Sequence, residues 1–523
     1  MSRPPPTRTL NKAVFVAAGI FVSRLAGLLR LRVFAYYFGL ESDAADAFNA
    51  AFRIPNFLQN LFGEGALSAS FIPVYAALVS RGERREADRV AGAVGALLAL
   101  VVALLVVVGE LATPLLIALI APGFSGAKRD LTIVIVRILF PGAGLLVLSA
   151  WCLGVLNSHG RFLLSYAAPV VWNAAMIATL VMFGAQSALP RLAVLLAWGS
   201  VVGSALQCMV QIPVVLRVAP DLKFAMVEAS DHVRDVVTNF VPVFISRGVV
   251  QVSAYIDALL ASLLPTGAVT GLANAQLLYT LPVSLFGISV AAAELPAMSG
   301  DAAIDRQGIE AVRLRLDAGL RRIAFFVVPS AVAFLALGDV IAAALLQTGR
   351  FRHEDALYVW GILAGSAVGL LASTLGRLYS STFYALRDTK TPLRYALIRV
   401  SLTTVLGYVF AIPLPRALGL PTLWGAAGLT ASAGIAGWVE MLMLRRTLNR
   451  RIGRTGLPPT YLLTLWSAAL ASAGVGFALK NALPLLHPAI VAALVLGPFG
   501  AVYLGAMLAL RVPEASLRLR RRS

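Results

Sequence analysis

Long apolar runs separated by short polar stretches set the pattern of this chain. Fourteen runs can be delimited, at 13–38, 52–78, 89–118, 131–156, 162–184, 191–216, 236–263, 270–298, 319–338, 356–384, 393–412, 421–444, 459–479 and 488–510. A membrane-crossing helix needs about 20 mostly apolar residues, and each run is long enough or nearly so. Residues 339–347 are also apolar but too short to cross. The pattern predicts an all-α polytopic membrane protein with about 14 transmembrane helices. The first run does not read as a cleaved leader: it is too long, is interrupted by Arg24, and has no small-residue cleavage motif before polar sequence.

Composition agrees. The chain has 523 residues, 59% hydrophobic and 13% charged; soluble domains carry about 25% charged residues. The net charge of +19 raises the question of nucleic acid, and its distribution answers it. An even number of spans puts both termini on one side. With the N-terminus inside, the inner segments hold 29 Lys and Arg and the outer loops hold 7. That asymmetry is the positive-inside pattern, so both termini are expected to be cytoplasmic, and no nucleic-acid partner is needed to account for the basicity. The basic tail "LRLRRRS" follows the last span, where anionic lipid headgroups would meet it.

Familiar reaction chemistry is missing from the sequence. Cys152 and Cys208 each sit in an apolar run and make neither a disulfide framework nor a metal spacing. The four histidines are scattered, and there is no P-loop, no dinucleotide fingerprint and no metalloprotease motif. No metal or cofactor is expected, and a transferase reading has no acid pair to stand on.

Eight cations remain inside the spans: Arg24, Arg30, Arg32, Arg53, Arg137, Arg247, Arg377 and Arg399. Arg137 and Arg399 are best placed to snorkel toward a span end. Charge at bilayer depth costs about 2.5–3.5 kcal/mol on insertion scales, so such residues normally face a bundle interior or a watery cavity. Arg24 and Arg30 lie about 9 Å apart along one helix and about 120° apart around it, so both can line one cavity at two depths. Arg32 points away and is expected to be structural. Within the spans Glu64, Glu110, Asp257, Glu294 and Glu440 are available to neutralise some of these cations.

The chain also repeats itself. "FVSRLAG" at 21–27 has a counterpart in "FISRGVV" at 244–250. "RIPNFLQNLFGEGALSASFIPVY" at 53–75 is echoed by "TLPVSLFGISVAAAELPAMS" at 280–299, each with a proline, then Leu-Phe-Gly, then a second proline. The prolines Pro55, Pro73, Pro282 and Pro296 are expected to kink the second span of each half. A six-span repeat in the same orientation predicts two parallel lobes, at 1–218 and 219–447, with an extra helix pair and basic tail at 448–523.

Several stretches carry a family resemblance: "SRLAGLLR" (23–30), "DAFNAAFRIPNFLQNLFGEGALSASFIPVY" (46–75), "APGF" (121–124), "LNSHGRF" (156–162), "QTGRF" (347–351) and "FYALRDTKTP" (383–392). On these the chain resembles the MviN/MurJ family of lipid II flippases, in the multidrug/oligosaccharidyl-lipid/polysaccharide exporter superfamily. The resemblance implies fourteen spans in two six-helix lobes plus a helix pair that grooves the lipid tail. It implies export of undecaprenyl-pyrophosphate-linked peptidoglycan precursor (lipid II) across the bacterial cytoplasmic membrane, driven by membrane potential or a monovalent ion. Partners would be lipid II, membrane lipids and cell-wall synthesis or division proteins. Arg24 and Arg30 match the family's cavity arginines, and Arg53, Asp46 and Glu64 fall on matching positions of the second-helix block. Asp46 would pair across a gate, with Glu64 a second gate or charge-pairing group.

Two positions depart from the family's pattern. A basic residue is frequent where this chain has Gln59, and an arginine is frequent before the Leu-Pro of span eight, where Gln276 or Leu277 falls depending on register. Arg247 is the candidate replacement charge. The headgroup set is therefore Arg24, Arg30, Arg53, Gln59 and Arg247. Export of another polyprenyl-linked saccharide, or a non-transporting scaffold of the same fold, stands as the alternative; organic-cation export fits badly with so many intramembrane arginines.

Overall fold

The computed structural model describes residues 6–224, 231–301, 306–483 and 486–515. The side chains of three residues singled out above, Glu64, Arg247 and Pro296, lie outside the described residues. The chain packs as two compact units, one of Met1–Val269 with Thr348–Arg350, the other of Thr270–Gln347 with Phe351–Ser523.

Unit 1 contains α1 (Pro6–Phe38), α2 (Asp43–Gln59), a π-helix π1 (Asn60–Leu67), α3 (Ser68–Arg81), α4 (Arg84–Ile120), α5 (Gly126–Ser158), α6 (Phe162–Phe183), α7 (Leu189–Val218) and α8 (Asp231–Ser262). From α9 (Ala268–Pro282) onward the chain builds unit 2: a second π-helix π2 (Val283–Ile288), α10 (Ser289–Asp301), α11 (Arg306–Ala336), α12 (Gly338–Leu346), α13 (His353–Ala385), α14 (Lys390–Ala411), α15 (Pro413–Ala417), α16 (Gly425–Ile452), α17 (Pro459–Ala482) and α18 (Pro488–Ala509).

Helix is what lipid demands, since hydrocarbon offers no partner to a backbone N–H or C=O. Eleven helical segments of the described residues are long and apolar enough to cross a membrane, the chain 268–295 counting as one. Adding α1, the composite α2–π1–α3 and the charged α8 gives fourteen long segments, the number read from hydropathy. The short apolar stretch at 339–347 is α12, nine residues. This is a multi-pass membrane protein.

The packing units and the sequence repeat divide the chain at different places. The repeat puts span seven at the start of the second lobe, whereas α8 packs on α3, π1 and α4 of unit 1. Its aromatic side chains explain the choice: Phe240 and Phe244 pack on Phe62 of π1, with ring centroids 5.9 and 5.0 Å away. The last pair, α17 and α18, joins unit 2 through α11 and α12.

Both π-helices fall on the repeated Leu-Phe-Gly. Leu61-Phe62-Gly63 lies within π1 and Leu285-Phe286-Gly287 within π2. Each follows a proline, Pro55 inside α2 and Pro282 at the end of α9. Proline has no N–H for the carbonyl four residues back, so the ladder is already broken between one and two turns before π1 and immediately before π2. π-Bulges cost helix regularity and gather at functional sites. Pro73 sits inside α3 with its ring exposed.

Small residues bring the helices of unit 2 close. A Cβ on Gly369 of α13 would run into the backbone of Gly434 on α16, and one on Gly365 would run into the Ala427 carbonyl and the Thr430 hydroxyl. Gly365 and Gly369 form a G-x-x-x-G step, the usual device for tight helix contact in lipid.

Candidate functional site

The first-helix arginines part company in the structure. Arg30 is half-buried in an aromatic and thioether cage, and Arg24 is exposed. The Arg30 guanidinium lies 4.8 Å from the Phe52 ring centroid and 5.7 Å from that of Trp172. Its Nη1 donates to the Met176 Sδ at 3.8 Å. The two rings are stacked on each other, 5.4 Å apart and 8° from parallel.

Each wall of the cage has a local cause. Phe52 comes from α2, which starts cleanly because the Ala45 N–H donates to the Ser42 side chain at 3.2 Å. Trp172 comes from α6, and its indole N–H is held by the carbonyl and hydroxyl of Ser200 on α7, both at 3.1 Å. Gly203 makes room, since a Cβ there would lie 2.8 Å from Trp172 Cδ1. The cage holds the cation by ring quadrupoles. Among the described residues no carboxylate neutralises it, and the buried Nε–H has no hydrogen-bond partner. A buried donor without a partner is costly, and an anion that supplied one would be favoured.

Arg53 follows Phe52 on α2. Its carbonyl accepts from the Tyr255 hydroxyl of α8 at 3.1 Å, and its ionisable neighbours are Asp257 and Tyr255. Tyr255 also meets Phe57 edge-on at 5.3 Å. Neighbouring residues of α2 thus meet Arg30 of α1 through the Phe52 ring and α8 through the Arg53 carbonyl. Gln59 is the half-buried last residue of α2. Arg24 makes no hydrogen bond or ion pair among the described residues and stands in the open, while Arg32 is engaged in a contact of its own. Arg399, expected to snorkel, ion-pairs with Glu440 at 3.1 Å.

Asp46 sits in a closed network at the start of α2. It is buried, 1% exposed, and accepts from the Lys128 ammonium of α5 at 2.8 Å and from the Gly267 N–H at 2.9 Å. Gly267 has φ +97°, a backbone state that favours glycine. Thr266 donates to Asp43 at 2.8 Å, and Lys128 also lies 3.3 Å from Asp43 and 4.4 Å from the Phe124 ring centroid. The network ties α2 and α5 to the turn that follows α8.

Sequence reasoning found the cations and missed their partners. Phe52 lies within a quoted motif yet reads as one more apolar residue. Trp172, Met176, Lys128 and Gly267 carry no local signal, because each meets its partner across a long stretch of chain.

The comparisons with known proteins bear on this geometry. The family model described as lipid II flippase MurJ matches residues 34–505. The chain belongs to the lipid II flippase MurJ family. Among curated relatives, the lipid II flippase MurJ of Burkholderia cenocepacia is 33% identical over 476 residues, covering 89% of each chain. The probable lipid II flippase MurJ of Rhizobium meliloti is 30% identical, covering 98% of this chain and 96% of that one. Among solved structures, a lipid II flippase MurJ in an inward closed conformation superposes with a TM-score of 0.77 at 24% identity, covering 95% of this chain and 99% of that chain. An inward-facing multidrug resistance MATE family transporter of the MOP superfamily superposes at 0.68 with 18% identity, covering 81% and 95%. These two structures share the fold.

Proposed function

We propose that this protein is a flippase that moves undecaprenyl-pyrophosphate-linked peptidoglycan precursor, lipid II, from the inner to the outer leaflet of the bacterial cytoplasmic membrane. It is a transporter rather than an enzyme, with both termini cytoplasmic and two lobes working by alternating access. Family membership supports the substrate class. The observation that carries the reading within this chain is the caged Arg30, a cation held at bilayer depth with a free donor.

The physics follows from that cation. A pyrophosphate bears two or more negative charges, and carrying it with its sugars through hydrocarbon unaided is prohibitive. Arginine stays charged and offers planar, bidentate donors that match phosphate oxygens. Arg30, Arg24 and Arg53 would hold the headgroup while the lipid tail stays in the bilayer. Gln59 would contribute an amide, and Arg247 a further cation. The Asp46–Lys128–Gly267 network would act as an outer latch, released when the site opens outward, with Glu64 a second charge-pairing group. Net substrate charge couples the step to voltage at about 2.3 kcal/mol per charge per 100 mV, so membrane potential or a monovalent ion can drive it without ATP. Cell-wall synthesis and division proteins are the partners this role calls for.

The test is to deplete a host of its own flippase, express this chain, and measure lipid II exposed on the outer leaflet. Restored exposure is the expected result. No restoration, with insertion verified, would point to another polyprenyl-linked saccharide or to a scaffold.

A further inference from the structure

Unit 2 holds a cation that the reading above does not use. Arg377 lies on α13, eight residues before Ala385 and therefore about 12 Å along the axis from that helix end. It is exposed, and among the described residues it makes no hydrogen bond or ion pair. The ionisable groups around it are Tyr279, Arg399 and Glu440. Glu440 is already taken by Arg399 at 3.1 Å, so the cluster carries one positive charge in excess. No acid stands on α9 or π2 to offset it.

Two hydroxyls sit beside this charge. Ser373 is one turn from Arg377 on the same face of α13. Its Oγ lies 2.7 Å from the Tyr279 hydroxyl of α9, and either atom can be the donor. Ser373 can instead donate to the Leu370 carbonyl at 3.1 Å. A guanidinium whose N–H groups meet no partner among the described residues, next to hydroxyls that can turn a proton outward, is the donor set that phosphate oxygens take. Gly287 lets π2 approach α13 close by, since a Cβ there would lie 3.0 Å from the Thr374 side chain.

We propose that Arg377, with the Tyr279–Ser373 hydroxyl pair, is a second phosphate-binding position of this protein, carried by unit 2 on its own. Two phosphates are available to a membrane protein: the pyrophosphate of a polyprenyl-linked substrate and the headgroup of an anionic bilayer lipid. Only the first of these rests on the flippase reading.

The experiment uses the full chain in nanodiscs of zwitterionic lipid, with undecaprenyl pyrophosphate, undecaprenol and phosphatidylglycerol as separate probes. Arg377→Gln is expected to weaken undecaprenyl pyrophosphate binding about tenfold, the usual scale for one charge-assisted hydrogen-bonded contact, and to leave undecaprenol unchanged. Arg377→Lys keeps the charge without the planar fork and should recover part of the loss. A loss confined to phosphatidylglycerol assigns the position to bilayer lipid. A wild-type chain that ignores undecaprenyl pyrophosphate yet binds phosphatidylglycerol through Arg377 refutes the flippase reading and keeps this site. Unchanged binding of both phosphates in a folded Arg377→Gln chain overturns the proposal. If that variant does not fold, a folded chain carrying Tyr279→Phe and Ser373→Ala with wild-type affinity for both does the same.

Discussion

Each unit buries a carboxylate against a lysine, and the two pairs are unequally complete. In unit 1 Asp46 is 1% exposed, Lys128 is 12% exposed, and a backbone N–H from Gly267 adds a second donor. In unit 2 Asp339 of α12 pairs with Lys480 of α17, the lysine is 29% exposed, and the Asp339 Oδ1 has no partner. The guanidiniums differ in a parallel way. Arg30 is fixed between rings, whereas Arg377 stands open beside two hydroxyls. The Asp46–Lys128 pair is a finished setting, whereas Asp339 leaves an acceptor unspent and Arg30, though enclosed, keeps one unspent donor. A finished setting makes a charge rigid and expensive to disturb, and an unfinished one leaves it free to meet a ligand.

The largest expected effect tests the carboxylates. Asp46→Ala leaves Lys128 with only the exposed Asp43 as a carboxylate partner among the described residues and removes the acceptor of the Gly267 N–H, and should lower stability by about 3 kcal/mol, the scale for breaking a buried pair. Asp339→Ala should cost about 1 kcal/mol, because its lysine can turn to solvent. Thermal unfolding in one detergent measures both; equal losses would break the comparison.

The arginines come next. Arg30→Gln should slow lipid II flipping about a hundredfold, the upper range for a charged hydrogen-bonding group in a closed site. Arg377→Gln should slow it about tenfold, since an open site loses less on removal of one donor set. Outer-leaflet lipid II in flippase-depleted cells reads both, and a larger effect at Arg377 would reverse the ranking.

A smaller effect is expected at π2. Gly287→Val adds atoms where Thr374 already crowds, and overpacking of this kind costs about 1–2 kcal/mol. The same variant should loosen undecaprenyl pyrophosphate binding slightly, because Thr374 adjoins Ser373. Wild-type unfolding temperature would mean that α13 yields at this point.

The smallest concerns His159, between α5 and α6. Its Nε2 lies 2.9 Å from the Tyr75 hydroxyl. Burial holds the imidazole below its ordinary value of 6.5, with Asp88 opposing and Arg84 and Arg161 reinforcing the shift. The folded state thus binds its proton less readily than the unfolded state. Stability is full above about 6.5 and declines as pH falls below it. His159→Gln should flatten that decline in unfolding temperature measured from pH 7.5 to 5.5.

Span number, the surplus of cations and the twice-used Leu-Phe-Gly were all legible in the sequence. Arg24 and Arg30 were equivalent there; only packing separates a caged cation from an open one. Likewise Asp46 read as a pairing group with no partner named, because Lys128 lies 82 residues away. The grouping of α8 with unit 1 was also hidden, since the repeat reports similarity of sequence and Phe240 and Phe244 decide contact.

By itself, then, the sequence determined the membrane class, the helical spans and the inventory of charge within them, because hydrocarbon imposes length and hydrophobicity on every segment locally. Tertiary structure alone decided which cation is enclosed, which carboxylate is satisfied and where the units divide. Those outcomes depend on which helix faces meet. Aromatic rings, glycines and hydroxyls far apart in the chain settle that together, and no local pattern records it.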